Sequence, residues 1–176
     1  MITLFPDGAL QNLAMLNYQQ GKLDEAIRQF RRALSTREES LGESDPATDP
    51  NSLAAVYTVQ GRYAEAERLC RRVLAIEENT LGPEHPQVSA ILDNLASVYR
   101  RQGQFETALT LTRRAEQIAR KVCGDRHPIT CLLANQLAVL YWNLQRFPEA
   151  RELLRRTLEI QLQELGEDNP DAAATC

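Results

Sequence analysis

The sequence predicts an all-α fold, a right-handed α-solenoid of stacked antiparallel helix pairs. Three observations predict it. One pattern is written four times, with Leu13-Ala14, Leu53-Ala54, Leu95-Ala96 and Leu137-Ala138 at its centre and Asn12, Ser52, Asn94 and Gln136 just ahead. The copies are spaced by 40, 42 and 42 residues, a period at which each unit is one supersecondary element that buries its apolar face only against its neighbours. Each copy is followed by a second apolar-periodic stretch with an alanine in a constant place, Ala26, Ala66, Ala108 or Ala150. Stop glycines and start prolines then punctuate the two stretches at constant offsets.

Repeat one, residues 7–45, opens with a helix A that stops at Gly21, where glycine supplies the left-handed residue that ends a helix. Its helix B starts at Leu23 and runs to a second stop at Gly42, and a polar turn ends in Asp45-Pro46. Repeat two, 46–85, is two residues short and offers a second start at Asp49-Pro50. A mid-helix proline costs about 3 kcal/mol, so this helix A is expected to begin at Pro50, with Asp49 as its cap, and to be the shortest. It stops at Gly61, and helix B runs from Tyr63 to Gly82. Repeat three, 86–127, starts at Pro86 after His85, stops at Gly103, resumes at Phe105 and stops at Gly124. Repeat four, 128–169, starts at Pro128 after His127. Gln145 replaces its first stop glycine, and a left-handed conformation there costs roughly 1 to 2 kcal/mol. Its helix B runs from Phe147 to Gly166, and Asn169-Pro170 opens what reads as a fifth helix A over 170–176 in a chain that continues. Each helix B is unusually long, about 18 residues. Each proline suits the first turn of the helix it begins, and the paired alanines let helices A and B approach closely. The whole chain, 1–176, reads as a single array.

These residues resemble the tetratricopeptide repeat (TPR), in the 42-residue form of kinesin light chains. The stretch from Leu95 to Pro128 follows that pattern with departures at Glu116 and Cys123. The resemblance implies a TPR superhelix with the A helices on a concave face and the B helices on a convex one. Counting back from each stop, the ninth position holds Asn12, Ser52, Asn94 and Gln136, and the tenth holds Gln11, Asn51, Asp93 and Asn135. Polar residues flanking a buried Leu-Ala belong on a surface. In kinesin light chains asparagines at this place bind the backbone of an extended peptide, and the resemblance implies the same for Asn12, Asn51, Asn94 and Asn135, with Gln136 beside them. An amide suits the task because it donates and accepts at once. On the same face further along lie Tyr18, Thr58, Arg100 and Trp142. Tyr18, Arg100 and Trp142 complete the expected peptide-binding set, with Asn94, Asn135, Arg100 and Trp142 opening onto one concave surface.

Charge and composition exclude other classes. The net charge of -4 gives no basic footprint for nucleic acid. No apolar run approaches the roughly 18 residues of a membrane span, and Met1 to Leu10 lacks the charged and apolar regions of a signal peptide, so a cytoplasmic protein is expected. Cys70, Cys123, Cys131 and Cys176 have no C-x-x-C spacing and read as small core hydrophobes in a reducing compartment. Neither catalytic residues nor a metal site nor a cofactor is expected: His85 and His127, the only histidines, sit in His-Pro turns a repeat apart, and no phosphate loop or hydrolase motif occurs. The acidic clusters Glu38-Glu39, Glu77-Glu78 and Glu164 to Asp168 read as solvated. Arg31-Arg32, Arg71-Arg72, Arg113-Arg114 and Arg155-Arg156 share one register. Such a ladder has the chemistry to bind an acidic partner, but Glu67 and Glu152, four residues ahead of Arg71 and Arg156, account for it as helical ion pairs. The expected function is a non-catalytic scaffold holding an extended or short helical peptide in its groove. The alternative is the regulatory or sensor repeats of a larger signalling protein, a nucleotide-switched ATPase or a protease. Repeat four is also expected to leave Leu140, Leu144, Leu154, Leu158 and Leu162 partly uncovered, inviting self-association through the C-terminal end face or a cap made by 170–176.

Overall fold

The computed structural model describes residues 7–41 and 50–168. Among them every regular element is helical: α1 (Asp7–Gln19), α2 (Leu23–Leu41), α3 (Pro50–Val59), α4 (Tyr63–Leu81), α5 (Pro86–Arg101), α6 (Phe105–Cys123), α7 (Pro128–Asn143) and α8 (Phe147–Asp168). The molecule is an α-solenoid. Consecutive helices pack as pairs, α1 on α2, α3 on α4, α5 on α6 and α7 on α8. Helices α2, α4 and α6 then meet α3, α5 and α7, and α3 touches α5.

The alanines at the centre of each pair explain the close approach. Ala14 and Ala26, Ala54 and Ala66, Ala96 and Ala108, and Ala138 and Ala150 are all buried. The core is a ribbon running through all the pairs. One cluster joins Ile27 and Phe30 of α2 to Leu53 and Val56 of α3, and another joins Cys70 of α4 to Ile91 and Leu95 of α5 and Leu137 of α7. Stability is therefore shared between each hairpin and its neighbours, as nearest-neighbour stacking requires.

The helix boundaries follow local chemistry. His85 and His127 cap α5 and α7: each Nδ1 accepts from a backbone N–H, that of Gln87 at 3.3 Å and Ile129 at 3.2 Å. Proline follows at the first helical position, where its missing N–H costs nothing. Helix α3 runs from Pro50 and, at 10 residues, is the shortest described; Pro46, Asp49 and the Gly42 stop lie outside the described residues. The first stops adopt positive φ, 77° at Gly61 and 75° at Gly103, and Gln145 adopts 59°. A Cβ at these glycines would meet nothing within 4 Å. The backbone angle alone selects glycine there, so a side chain at 145 is strained but not obstructed.

Three expectations need correction here. Helix α8 does not stop at Gly166 but runs through it to Asp168. Glycine permits a left-handed turn without compelling one, and at Gly82 and Gly124 the turn leads into a following helix that packs back on the one before. Cys70 and Cys131 are buried, but Cys123 is exposed, because the last position of a helix B lies beyond the part that the next helix covers; Leu81, its counterpart, is exposed too. Leu140 is buried and only Leu154, Leu158 and Leu162 of the predicted end-face leucines are largely exposed, since Leu140 faces back into the core cluster with Leu137.

Candidate peptide groove

Three of the polar positions of the A helices, Ser52, Asp93 and Asn94, border two adjoining cavities. Tyr18 and Met15 of α1, Ser52 and Ala55 of α3 and Asn94 of α5 line the first, of about 210 Å³. Asp93 and Asn94 of α5, Ala90, and Ile129 and Leu132 of α7 line the second, of about 260 Å³. Asn94 borders both, so α1, α3, α5 and α7 share one continuous surface. Helical spacing causes this: residues three and four apart fall on one face, and the 42-residue period repeats that face from α5 to α7.

Asp93 Oδ2, at the second cavity, accepts from Gln136 Nε2 at 3.4 Å. The other Asp93 oxygen is buried with no protein partner. Burial pushes the Asp93 carboxyl above the usual carboxylate range, while the Gln136 bond and the Arg100 charge pull it back. Asn12, Asn135 and Arg100 are exposed and line neither cavity. The side chain of Asn51 lies outside the described ones. Trp142, 66% exposed, packs edge-on against Phe147 with centroids 5.0 Å apart and borders a separate cavity over α8. It therefore does not share a cavity with Asn94, because it is the penultimate residue of α7, beside the connection to α8. Thr58, counted with the groove positions, is buried and donates to Ala54 O at 2.7 Å.

An apolar stripe was missed. Ile129, Leu132, Val139 and Trp142 are all exposed on α7, at the 3-7-3 spacing of one helix face. Their spacing was legible, but in the other repeats those positions are polar or small, as in Gln87, Ala90, Ser97 and Arg100, which hid the pattern from a comparison between repeats.

The paired arginines have a different role from the one their spacing implied. Arg31 Nε donates to Tyr57 Oη, Arg71 Nη2 to Tyr99 Oη and Arg113 Nη2 to Tyr141 Oη, each at 2.6 Å. Each bond runs from one helix B to the next helix A. Arg62 and Arg146 lie over the rings of Tyr57 and Tyr141, at 4.6 Å and 4.9 Å from the centroids, so these tyrosines are held at both ring and hydroxyl. The second arginines reach back to the preceding repeat: Arg114 meets Glu78 of α4 at 2.5 Å, and Arg156 meets Asp125, in the turn after α6, at 3.3 Å. Glu67 pairs with Arg71 at 2.7 Å as expected, but Arg156 turns to Asp125 rather than Glu152, since the neighbouring repeat places a carboxylate within its reach. The recurrence of tyrosine and Arg-Arg in one register was the available signal. Glu77 is likewise a correction. It is buried, with one carboxylate oxygen unpartnered, and burial pushes its carboxyl up against the lowering influence of His85; its place in the turn of α4 faces the neighbouring helix, not solvent. The side chains of Glu38, Glu39 and Glu164 to Asp168 lie outside the described ones.

Stacked helix hairpins with small residues at their crossings and a polar groove along alternate helices define a repeat scaffold. The chain belongs to the tetratricopeptide-repeat family: family profiles described as tetratricopeptide repeat match residues 8–47, 50–121 and 90–163. Its array is of the kinesin-light-chain type. A kinesin light chain protein of nearly identical TPR-like repeats from Podosopora anserina is 29% identical, with a TM-score of 0.81 over 92% of this chain and 77% of that one. A second crystal structure of that protein gives 28% and 0.81, over 92% and 78%. BtubC (BKLC) from P. vanneervenii is 25% identical, with a TM-score of 0.77 over 88% of this chain and 61% of that chain. No curated protein matches the sequence. Such arrays serve as protein-protein interaction scaffolds, and no helix among the described residues is long and apolar enough to cross a membrane.

Proposed function

We propose that this chain is a non-catalytic, cytoplasmic interaction module that holds a short peptide along its A helices. The observation that carries the proposal is the pair of adjoining cavities sharing Asn94, with Tyr18 and Ser52 on one side and Asp93 and Leu132 on the other. Asn94 supplies a donor and an acceptor for a peptide backbone. Tyr18 gives one side of the ligand a flat contact, and the exposed stripe of α7 gives the other an apolar wall. That wall favours a ligand with its own apolar residues at helical spacing over the C-terminal half of the groove. Asn12, Asn51, Asn135, Gln136, Arg100 and Trp142 extend the contact surface to its ends.

Selection of short random peptides on the immobilised chain, followed by titration of the best binders, tests this. Asn94→Ala is expected to weaken binding about tenfold, the worth of a bidentate amide pair, while Arg113→Ala leaves affinity unchanged because its guanidinium serves Tyr141. Equal losses from the two substitutions, or binders that survive both Asn94→Ala and Leu132→Ala, would move the site off this groove.

A further inference from the structure

Among the described residues that line the cavity of about 260 Å³ between α5, α6 and α7, Asp93 alone is charged. Pro86 and Ala90 of α5, Ala119 of α6, and Ile129, Leu132 and Leu133 of α7 give the cavity apolar walls. Ser89, which also lines it, is buried and donates its hydroxyl to Ala115 O at 2.8 Å. Asp93 is less well served. Its Oδ2 accepts from Gln136 at the long distance of 3.4 Å, and its Oδ1 is buried without a protein partner. A carboxylate oxygen taken out of water and left unpaired is costly, because nothing offsets its desolvation. Burial accordingly raises the Asp93 carboxyl, against the weaker pull of the Gln136 bond and the Arg100 charge. Arg100 is exposed and does not line the cavity. At the equivalent place the other A helices carry a neutral amide, Gln11, Asn51 or Asn135, so the acid is particular to this point of the array.

We propose that the peptide held in this groove places a lysine side chain in the cavity between α5, α6 and α7, its ammonium on Asp93 Oδ1; the proposal rests on a peptide occupying the groove. Charge and shape both select lysine. An apolar enclosure with one acceptor at its wall complements a flexible hydrocarbon stem that ends in a cation, since the methylenes pack on the walls and the ammonium supplies the bond that Oδ1 lacks. Arginine fits less well. Its planar fork pairs best with both oxygens of a carboxylate, and here Gln136 already holds Oδ2. The compact ammonium needs only the remaining oxygen. Asn94, beside Asp93 on the rim, is then left for the ligand backbone. Ile129 and Leu132, each at least half exposed, meet apolar residues that flank the lysine.

A random peptide library displayed on phage, selected on the immobilised full chain, is the first probe. Lysine is expected to be enriched above arginine at one position flanked by apolar residues. Synthetic copies of the best binder with lysine, arginine or norleucine at that position are then titrated, norleucine keeping the stem and lacking the ammonium. On the wild type the lysine form is expected to bind about tenfold more tightly than the norleucine form, with the arginine form between them. Asp93→Asn installs the amide that α3 and α7 carry at this place, and circular dichroism verifies that its helices persist. In that variant the advantage of lysine over norleucine is expected to vanish. An advantage that survives Asp93→Asn, or an arginine form that binds as tightly as the lysine form, would overturn the proposal. Binders that are lost in Asn94→Ala yet show no preference for lysine would overturn it while the groove reading stands. A library without binders, or binding indifferent to Asn94→Ala, would remove the groove reading and this assignment together.

Discussion

Glu116 is the position at which a substitution says most about how this array is held. It stands in α6 where repeat register puts Leu34, Leu74 and Leu158, yet it is only 4% exposed. Its carboxylate contacts Arg120 one turn on. Arg120 Nε also lies 2.7 Å from Asp125, and Asp125 lies 3.3 Å from Arg156 of α8. Replacing Glu116 by leucine removes one ion pair but strands no cation, because Arg120 keeps Asp125 and is partly open to water. The pair at that exposure is worth at most about 1 kcal/mol. Against it stand the relief of a desolvated carboxylate and the burial of a leucine, together about 2 to 3 kcal/mol. Glu116→Leu is therefore expected to stabilise the protein by about 1 to 2 kcal/mol at neutral pH, the outcome common when buried ion pairs give way to apolar residues. Glu116→Ala leaves a void and should cost about 1 kcal/mol, and Arg120→Ala, which strands a buried carboxylate, about 3 kcal/mol. Urea unfolding followed by helical circular dichroism measures the series, with midpoints compared at constant slope. If Glu116→Leu destabilises as much as Glu116→Ala, the carboxylate is a net stabilising tie between the third and fourth pairs and the reasoning fails.

Burial raises the folded-state carboxyls of Glu116, Glu77 and Asp93 above their ordinary range. A pKa raised on folding gives stability present in full below the unfolded value, about 4.3 for Glu, and lost as pH rises through the folded value; the advantage of Glu116→Leu over wild type should accordingly shrink between pH 7 and pH 4.5, as midpoints at the two pH values would reveal. Gln145→Gly relieves a side chain held at φ 59° and should stabilise by about 1 kcal/mol, seen as a higher melting temperature; an unchanged or lower one would mean that the chain entropy of glycine cancels the relief. Tyr99→Phe removes a hydroxyl that accepts from Arg71 and donates to Glu67 at 3.0 Å and should cost about 1 to 2 kcal/mol, with Arg71→Ala adding less in that background than alone in a double-mutant cycle. His85→Ala should cost about 1 kcal/mol through loss of the α5 cap, while His85→Asn preserves it, as thermal melts of both variants would reveal. Burial pushes the Cys70 thiol up to about 12, so thiol-reactive reagents near neutral pH should label Cys123 and leave Cys70 unmodified until the protein unfolds.

Periodicity by itself determined the architecture. Four copies of one pattern, with glycine, proline and histidine at constant offsets, place the helices within a few residues, because helix starts and stops are local matters of φ and orphaned N–H groups. The left-handed Gln145 and the Pro50 start were legible for the same reason. The half-exposed face of α5 that carries Asn94 and borders the two cavities was also legible, since it follows from helical spacing alone. What remained hidden was decided between repeats. Arg31, Arg71 and Arg113 sit 26 to 28 residues from the tyrosines they bind, a pairing that exists only once one hairpin is stacked on the next. Glu77 and Glu116 differ from the solvated acids along the same helices only in which neighbour faces them. Trp142 packs onto Phe147 and borders a cavity apart from Asn94, an arrangement that exists only once α8 folds back on α7. Local chemistry fixes where a helix begins and ends; the chemistry of its far side belongs to whatever packs there.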